Sequence, residues 1–335
     1  MKVARLHGIG DVRVGEEPDP LPGPGESLVR VTAVGLCGSD LHWYGEGGIG
    51  DAQLDAPLVV GHEFAGIVES GPLKGQRVAV DPAIPCHHCE LCVEGHPNLC
   101  LNIAFAGHGA TDGGLRELLA WPTARLHPLP AKLSDADGAL LEPLGVAVHS
   151  LDLGHVRLGD KVAVGGCGPI GLMLVRLARL AGAATVVASD PLPQRRETAT
   201  WYGADAVLDP RSDVDSREFF RETLGIGADV VFEVAGANDA VVDSILAARP
   251  GGRVVLAGIP DPDEIAFPAS PARRKGLTIA LVRRMKEVYP RAIGLVEKGL
   301  VDVSPLVSDR FSLDDVAEAF ASATARRGLK TVVEP

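Results

Sequence analysis

The chain has 335 residues, with 44 acidic against 32 basic side chains and a formal charge of −12. An apolar share of 46% and a charged share of 23% exclude a disordered chain and provide for full-sized cores. The acidic balance argues against nucleic-acid binding, and no apolar run approaches the ~20 residues needed to cross a bilayer. At about 150 residues per domain the length suggests two domains. The opening stretch MKVARLHGIGDVRV lacks the apolar segment of a secretory leader, so a cytoplasmic protein is expected.

Residues 1–140 read as short β segments (KVARL, SLVRVTAVG, EFAGIVES, QRVAV) separated by Gly- and Pro-containing loops, which predicts a compact antiparallel, barrel-like domain. From about 145 the texture becomes strand–helix alternation. KVAVGG is a strand, LMLVRLARLAGA a buried helix and TVVASD a second strand, followed by a helix through QRRETATWYGA. DAVLD, DVVFEVAG, RVVLAG and LTIALV continue the strands, and NDAVVDSILAARPGG reads as a helix closed by its glycine pair. Repeated units of this kind predict a parallel sheet covered on both faces. Beyond about 283, Ser312–Asp315 resembles a capping box ahead of a helix that places Val316, Ala319, Phe320 and Ala323 on one face. LKTVVE then closes the chain as a strand. One helix and one strand cannot make a domain, so this tail is expected to return to the first one.

Gly166-Cys-Gly168-Pro169-Ile170-Gly171 is a G-x-G-x-x-G sequence with a strand before it and a helix after it. Asp190 ends the next strand at the spacing of a ribose-binding carboxylate. The glycines let backbone approach a pyrophosphate at the positive end of the helix. A carboxylate at Asp190 accepts from ribose hydroxyls and repels a 2′-phosphate, which favours NAD over NADP. Arg195 and Arg196 are close enough in sequence to hold such a phosphate and keep NADP open. Cys167 reads as a small loop residue.

The cysteines point to metal. Cys86-x2-Cys89-x2-Cys92-x7-Cys100 gathers four thiols in one short segment, the usual framework of a closed, structural zinc site. His87, His88 and His96 lie among them and read as exposed loop residues. A second set is dispersed: Cys37 in GLCGSDLH, His62-Glu63 in GHEF, and Glu142 in LEPLG. Spacing alone does not read it. Beside a nicotinamide-binding fold, however, a mixed Cys, His and carboxylate set has the chemistry of a catalytic zinc with one open position.

GLCGSDLH, GHEFAGIV, the four-cysteine lobe, EPLGVAVH and GGCGPIG occur here in the order found in zinc-dependent medium-chain dehydrogenases. The chain resembles that family along essentially its whole length, and within it is most similar to the sorbitol (L-iditol) and xylitol dehydrogenases. Glu142, where typical alcohol dehydrogenases carry cysteine, and Val307-Ser-Asp-Arg-Phe-Ser-Leu carry that closer likeness. The resemblance implies an α/β chain with two domains. A GroES-like β-barrel catalytic domain would span 1–144 plus 283–335, with its zinc lobe at about 86–100. A Rossmann doubly wound parallel-sheet domain would span 145–282. It implies two zinc ions per chain, NAD as cofactor and a homodimer or homotetramer.

Carried over position by position, Cys37, His62 and Glu63 match catalytic zinc ligands. Glu142 matches a carboxylate beside the metal, bound directly or through water. Ser39 and His42 match a proton relay. Trp43, Phe105 and Arg284 fall where polyol enzymes line the substrate site, with Glu142 also facing substrate. Gly166, Gly168, Pro169, Ile170, Gly171, Asp190 and Arg195 match cofactor contacts, as do Ala257, Gly258, Ile259 and Val282. Met285 and Trp43 replace common tyrosines, and Phe105-Ala-Gly-His108-Gly-Ala departs from the usual loop, so the individual substrate is left open. The implied reaction is hydride transfer from a secondary alcohol of a polyol to NAD, giving a ketose. L-threonine or another secondary alcohol is the alternative substrate, and a non-catalytic nucleotide-binding relative the alternative class. Neither a membrane nor a nucleic acid is an expected partner.

Overall fold

The computed structural model describes all 335 residues. Its backbone divides into two compact units, Met1–Pro143 with Lys286–Pro335, and Leu144–Met285. No helix is long and apolar enough to cross a membrane.

The first unit is organised by the strand Glu26–Gly35, in which Ser27, Val29, Val31 and Ala33 are buried at the two-residue period of a sheet face. A seven-stranded sheet runs in the order 126–128, 77–80, 63–68, 26–35, 330–334, 307–312, with Leu118–Pro122 also paired to Glu26–Gly35. Its core includes Leu6, Val31, Phe64, Val80, Trp121 and Phe320, all nearly inaccessible to water.

The chain's last strand, Lys330–Glu334, pairs antiparallel with Glu26–Gly35. Val332 lies opposite Gly35, and Gly35 in turn lies opposite Glu63. The terminal segment is therefore built into the sheet that carries His62 and Glu63.

Two local expectations change. Val307–Ser312 is a strand, parallel to Lys330–Glu334, inside a sheet expected to be antiparallel throughout. Ser312 ends that strand and is followed by a 3-10 turn, Leu313–Asp315, so the helix starts one turn later as Val316–Thr324. Ser312 Oγ bonds to Asp315 Oδ2 at 2.6 Å, bracing the turn.

The second unit is a six-stranded parallel sheet in the order 206–208, 185–189, 161–165, 228–233, 248–256, 278–281. The order reverses direction between Lys161–Gly165 and Ala228–Glu233. That reversal makes the crevice in which doubly wound folds bind nucleotides. The helix Pro169–Leu180 follows the first of these strands and buries Leu172, Met173, Leu174, Val175, Leu177 and Ala178. The glycine pair at 251–252 does not cap a helix. Asn238–Ala247 stops before it, and Ala248–Leu256 is a strand whose pairing with Ala228–Glu233 is irregular between Ala228 and Val230. The pair sits in that irregularity.

Candidate active site

At the end of the central strand the chain passes through Leu36 and Cys37 into the helix Gly38–Glu46. Asp40 turns back on the helix start. Its Oδ2 accepts the Cys37 amide at 2.9 Å, and its Oδ1 accepts the Gly61 amide at 3.1 Å. The same Oδ1 lies 3.5 Å from His62 Nδ1, which orients that ring with Nε2 turned away from Asp40. Burial alone would raise the Asp40 carboxyl, but His62 and the two amides outweigh it and hold it below the usual carboxylate range. Burial pulls His62 down, yet the charges of Asp40 and Cys37 outweigh it and hold the ring well above its ordinary value. His62 is thus a site at which a positive charge, proton or cation, is strongly favoured.

Cys37, His62 and Glu63 present one ligand atom each, all within 4.8 Å of one another. Glu63 is wholly buried, and both of its oxygens accept from Lys330 Nζ, at 2.7 and 2.6 Å. Lys330 is buried too, and its Nζ also donates to Leu36 O at 3.0 Å. Gly35 makes room for this arrangement, because a Cβ there would overlap Glu63 Oε2.

Glu142, in the first turn of the helix Leu141–Gly154, stands outside that set of mutually close ligand atoms. It shares their electrostatic environment. Burial pushes its carboxyl up to about 7, with the charge of Glu63 adding to the rise and those of His62 and Lys330 opposing it. The buried Tyr289, which feels the charges of Asp81, Glu142 and Glu63, donates its hydroxyl to Val80 O at 2.9 Å.

Ser39 Oγ lies 3.4 Å from His62 Nε2. His42, three residues along the same helix and therefore on the same face, bonds through Nδ1 to Glu46 at 2.8 and 2.9 Å. Phe105 packs against the His62 ring, with centroids 5.4 Å apart. Trp43 is buried and meets His108 edge-on at 5.6 Å. Arg284 belongs to the second unit and adopts a left-handed backbone with φ +55°, while Met285 beside it is buried.

The thiols of Cys86, Cys89, Cys92 and Cys100 also lie within 4.8 Å of one another. The amides of Cys86 and Asn102 point at Cys100 Sγ from 3.2 and 3.4 Å, and the Cys89 amide at Cys86 Sγ from 3.4 Å. The His88 amide, helped by that of Cys89, lowers the Cys86 thiol to about 5, whereas desolvation and neighbouring thiols raise Cys92 to about 12. Four sulfurs this close cannot all ionise without a cation among them.

Of the lobe's histidines, His87 and His88 are exposed as expected, although both are hydrogen-bonded, and only His96 departs from that expectation. His87 Nε2 pairs with an Arg125 amino group at 2.5 Å, His88 Nδ1 bonds to Cys86 O at 2.7 Å, and His96 is half-buried. Arg125 is itself held by Asp81 at 3.2 Å.

In the second unit Gly168 precedes the helix that starts with Pro169 and Ile170. Gly171 packs so closely on Gly166 O that no side chain fits between them. Asp190 is buried and braces this loop: Oδ2 accepts the Cys167 amide and Oδ1 the Leu192 amide, each at 2.8 Å. Arg195 reaches to 3.9 Å of Asp190 Oδ2, whereas Arg196 is committed to Asp209 at 3.0 Å. Burial, then the charge of Asp190, raises the Cys167 thiol to about 12. Glu233 accepts the amides of Ala235 and Gly236 at 2.8 Å, and Gly258 packs on Gly236 and Glu233. Ile259 follows with 42% of its surface exposed, and the Val282 amide bonds to Leu256 O at 2.9 Å.

Residues 23–131 match the family model of the alcohol dehydrogenase GroES-like domain, and residues 169–298 that of zinc-binding dehydrogenase. The chain belongs to the zinc-binding dehydrogenase family. It is 38% identical to a protein named "Probable D-xylulose reductase A" of Aspergillus fumigatus, over 98% of this chain and 95% of that one. It is 34% identical to the sorbitol dehydrogenase of Gallus gallus, over 98% of this chain and 95% of that one. The crystal structure of L-idonate 5-dehydrogenase from Escherichia coli matches with a TM-score of 0.92 and 30% identity, covering 100% of this chain and 98% of that one. The likeness to polyol dehydrogenases read from the motifs is borne out by these relatives.

The donors of this zinc-binding dehydrogenase fit the metal its family implies. A soft tetrahedral dication matches four thiols with amides aimed at them, and a mixed sulfur, nitrogen and oxygen set suits the same ion with a position left open. Sequence reading missed three residues that shape the sites: Asp40, Lys330 and Glu233. Asp40 had a signal, since an acid three residues after Cys37 at a helix start is a capping position. Lys330 had a fainter one, as the lysine that opens the strand KTVVE ahead of its two valines.

Proposed function

We propose that this zinc-binding dehydrogenase oxidises a secondary alcohol of a polyol or sugar alcohol to the corresponding ketose, with NAD as hydride acceptor. The observation that carries the reading is the convergence of half-buried Cys37 with buried His62 and Glu63, with the raised carboxyl of Glu142 in the same field. Cys37, His62 and Glu63 would hold a catalytic zinc, Glu142 would stand beside it, and the four lobe cysteines would hold a structural zinc. Zinc bound there supplies a Lewis acid for an alcohol oxygen, and the bound nicotinamide supplies the hydride acceptor.

The chain's own groups would do the rest. Ser39, 3.4 Å from His62 Nε2, is placed to take the substrate hydroxyl proton at Oγ. His42, one helical turn on and partly exposed, would carry it to solvent, with Glu46 fixing its ring at Nδ1. Glu142 would receive a further hydroxyl of a polyol, a polar partner that a simple alkyl alcohol would leave unpaired. Phe105 and Trp43 would shape the apolar wall against which the carbon chain lies and from which water is excluded.

Gly166, Gly168, Pro169, Ile170 and Gly171 would admit the pyrophosphate, Asp190 the ribose, and Ala257–Ile259 with Val282 the nicotinamide end. Asp190 supports NAD, since its carboxylate repels a 2′-phosphate. Arg195, 3.9 Å from that carboxylate, is the specific observation for NADP as the second reading. Six free cysteines without a disulfide support a reducing, cytoplasmic setting, and we place the enzyme there as a homodimer or homotetramer.

Metal analysis of the wild type and Cys37→Ala, with cofactor reduction followed by absorbance, tests the reading. About two zinc ions per wild-type chain, falling to about one in an inactive variant that still binds NAD, is the expected result. Retained turnover in a variant lacking that zinc would refute it.

A further inference from the structure

Lys330 has no place in the reaction outlined above, yet it is a fully enclosed ammonium in the wall of the metal-ligand set. Its three donors are all used, on Leu36 O at 3.0 Å and on the two oxygens of Glu63 at 2.7 and 2.6 Å. The peptide that supplies the Leu36 carbonyl leads directly into Cys37. Gly35, one residue earlier, lies opposite both Glu63 and Val332 in the sheet and leaves the space the carboxylate fills. The contact is built from three neighbouring strands of the sheet and from Leu36, the residue that follows the middle one.

We propose that Lys330 is a positioning residue that keeps Glu63 an exchangeable ligand, so that a coordination position stays available to substrate. The inference rests on the reading of Cys37, His62 and Glu63 as metal ligands. A carboxylate with both oxygens on one ammonium reaches a nearby dication only by sharing lone pairs or by leaving the lysine. Leaving strands a buried, unpaired cation, which is costly. Two cations would therefore compete for one carboxylate, and Lys330 is already in place to hold Glu63 at both oxygens whenever the carboxylate is not on a metal. Charge supports this balance. The thiolate of Cys37 and the carboxylates of Asp40 and Glu63 are three negative charges, neutralised together by Lys330 and one dication. Removing Lys330 leaves Glu63 with the dication as the cation in reach, and it becomes a fixed ligand.

The test uses the full-length protein with the exchangeable zinc replaced by Co(II), read as the visible band that Cys37→Ser abolishes. In the wild type the band should shift on adding xylitol. In Lys330→Met the band should be present but unresponsive to xylitol, and metal loss to a chelator should slow about tenfold, the scale at which outer partners tune metal sites. In Glu63→Gln, which keeps Lys330 and the side-chain shape, metal loss should instead accelerate about tenfold with the xylitol response intact. That variant decides the matter if Lys330→Met does not fold. Metal loss at the wild-type rate in either folded variant, or faster loss in Lys330→Met, would overturn the proposal. A wild type without any Cys37-dependent band would instead sink the metal-site reading on which it stands.

Discussion

Gly35→Ala isolates the space under Glu63. Gly35 lies in the extended strand Glu26–Gly35 without positive φ, so alanine is acceptable to the backbone and should gain about 0.5–1 kcal/mol from lost chain entropy. The new methyl would overlap Glu63 Oε2, well inside the 3.0 Å that real Cβ atoms keep, and would also crowd the Glu63 Cβ at 3.3 Å. Glu63 and Lys330 are walled in, so the carboxylate can yield only by breaking its bonds to Lys330. Separating a buried ion pair costs about 3–5 kcal/mol, which leaves a net destabilisation of about 2–4 kcal/mol. Urea unfolding of metal-stripped protein measures this. Gly45→Ala, where an added Cβ meets nothing within 4 Å, serves as the control and should be neutral or slightly stabilising. If Gly35→Ala unfolds at the same urea concentration as the wild type, the packing argument for the Glu63–Lys330 contact fails.

Gly171→Ala should abolish nucleotide binding, because a Cβ there drives into the Gly166 carbonyl and reshapes the loop. NADH fluorescence titration checks it, and wild-type affinity would contradict it. Cys92→Ser should lower zinc content by about one per chain and make residues 86–100 sensitive to protease, with an intact lobe the contrary result. His127 lies flat on Tyr289 at 4.6 Å, and burial, then the Arg125 charge, pushes it down to about 4. An unfolded histidine titrates near 6.5, so the stability gained from keeping the ring neutral is full above that pH and is lost as pH falls toward 4. At about pH 5 the loss is about 1 kcal/mol after allowing for the ring's partial exposure. His127→Gln should lose that much less than the wild type between about pH 7 and 5, and equal losses would sink the assignment.

Legibility in the sequence followed how local each feature is. The cysteine lobe and the glycine loop are contiguous, and their spacing alone announced their chemistry. The Cys37, His62, Glu63 group is assembled by pairing between strands, and only the order of family motifs pointed to it. Lys330 could not be linked to Glu63 from sequence, because 267 residues separate them and the pairing of the last strand brings them together. Val307–Ser312 was not singled out as a strand because alternate residues in VSDRFS are exposed, as a half-covered edge requires, which leaves no apolar run to mark it. The glycine pair at 251–252 reads as a helix end, and only the irregular pairing with Ala228 shows why the strand carries it.

The central claim, oxidation of a polyol at a zinc held by Cys37 and His62, is tested most directly by kcat/KM across a substrate panel with the zinc-replete enzyme. Xylitol, sorbitol, galactitol, inositol, threonine and butanol, each offered with NAD and with NADP, make up that panel. A polyol should exceed butanol by about 100-fold, the worth of one buried polar partner such as Glu142 left unpaired by an alkyl chain, and NAD should exceed NADP. Equal turnover of polyols and butanol, or no polyol turnover with zinc in place, would contradict it.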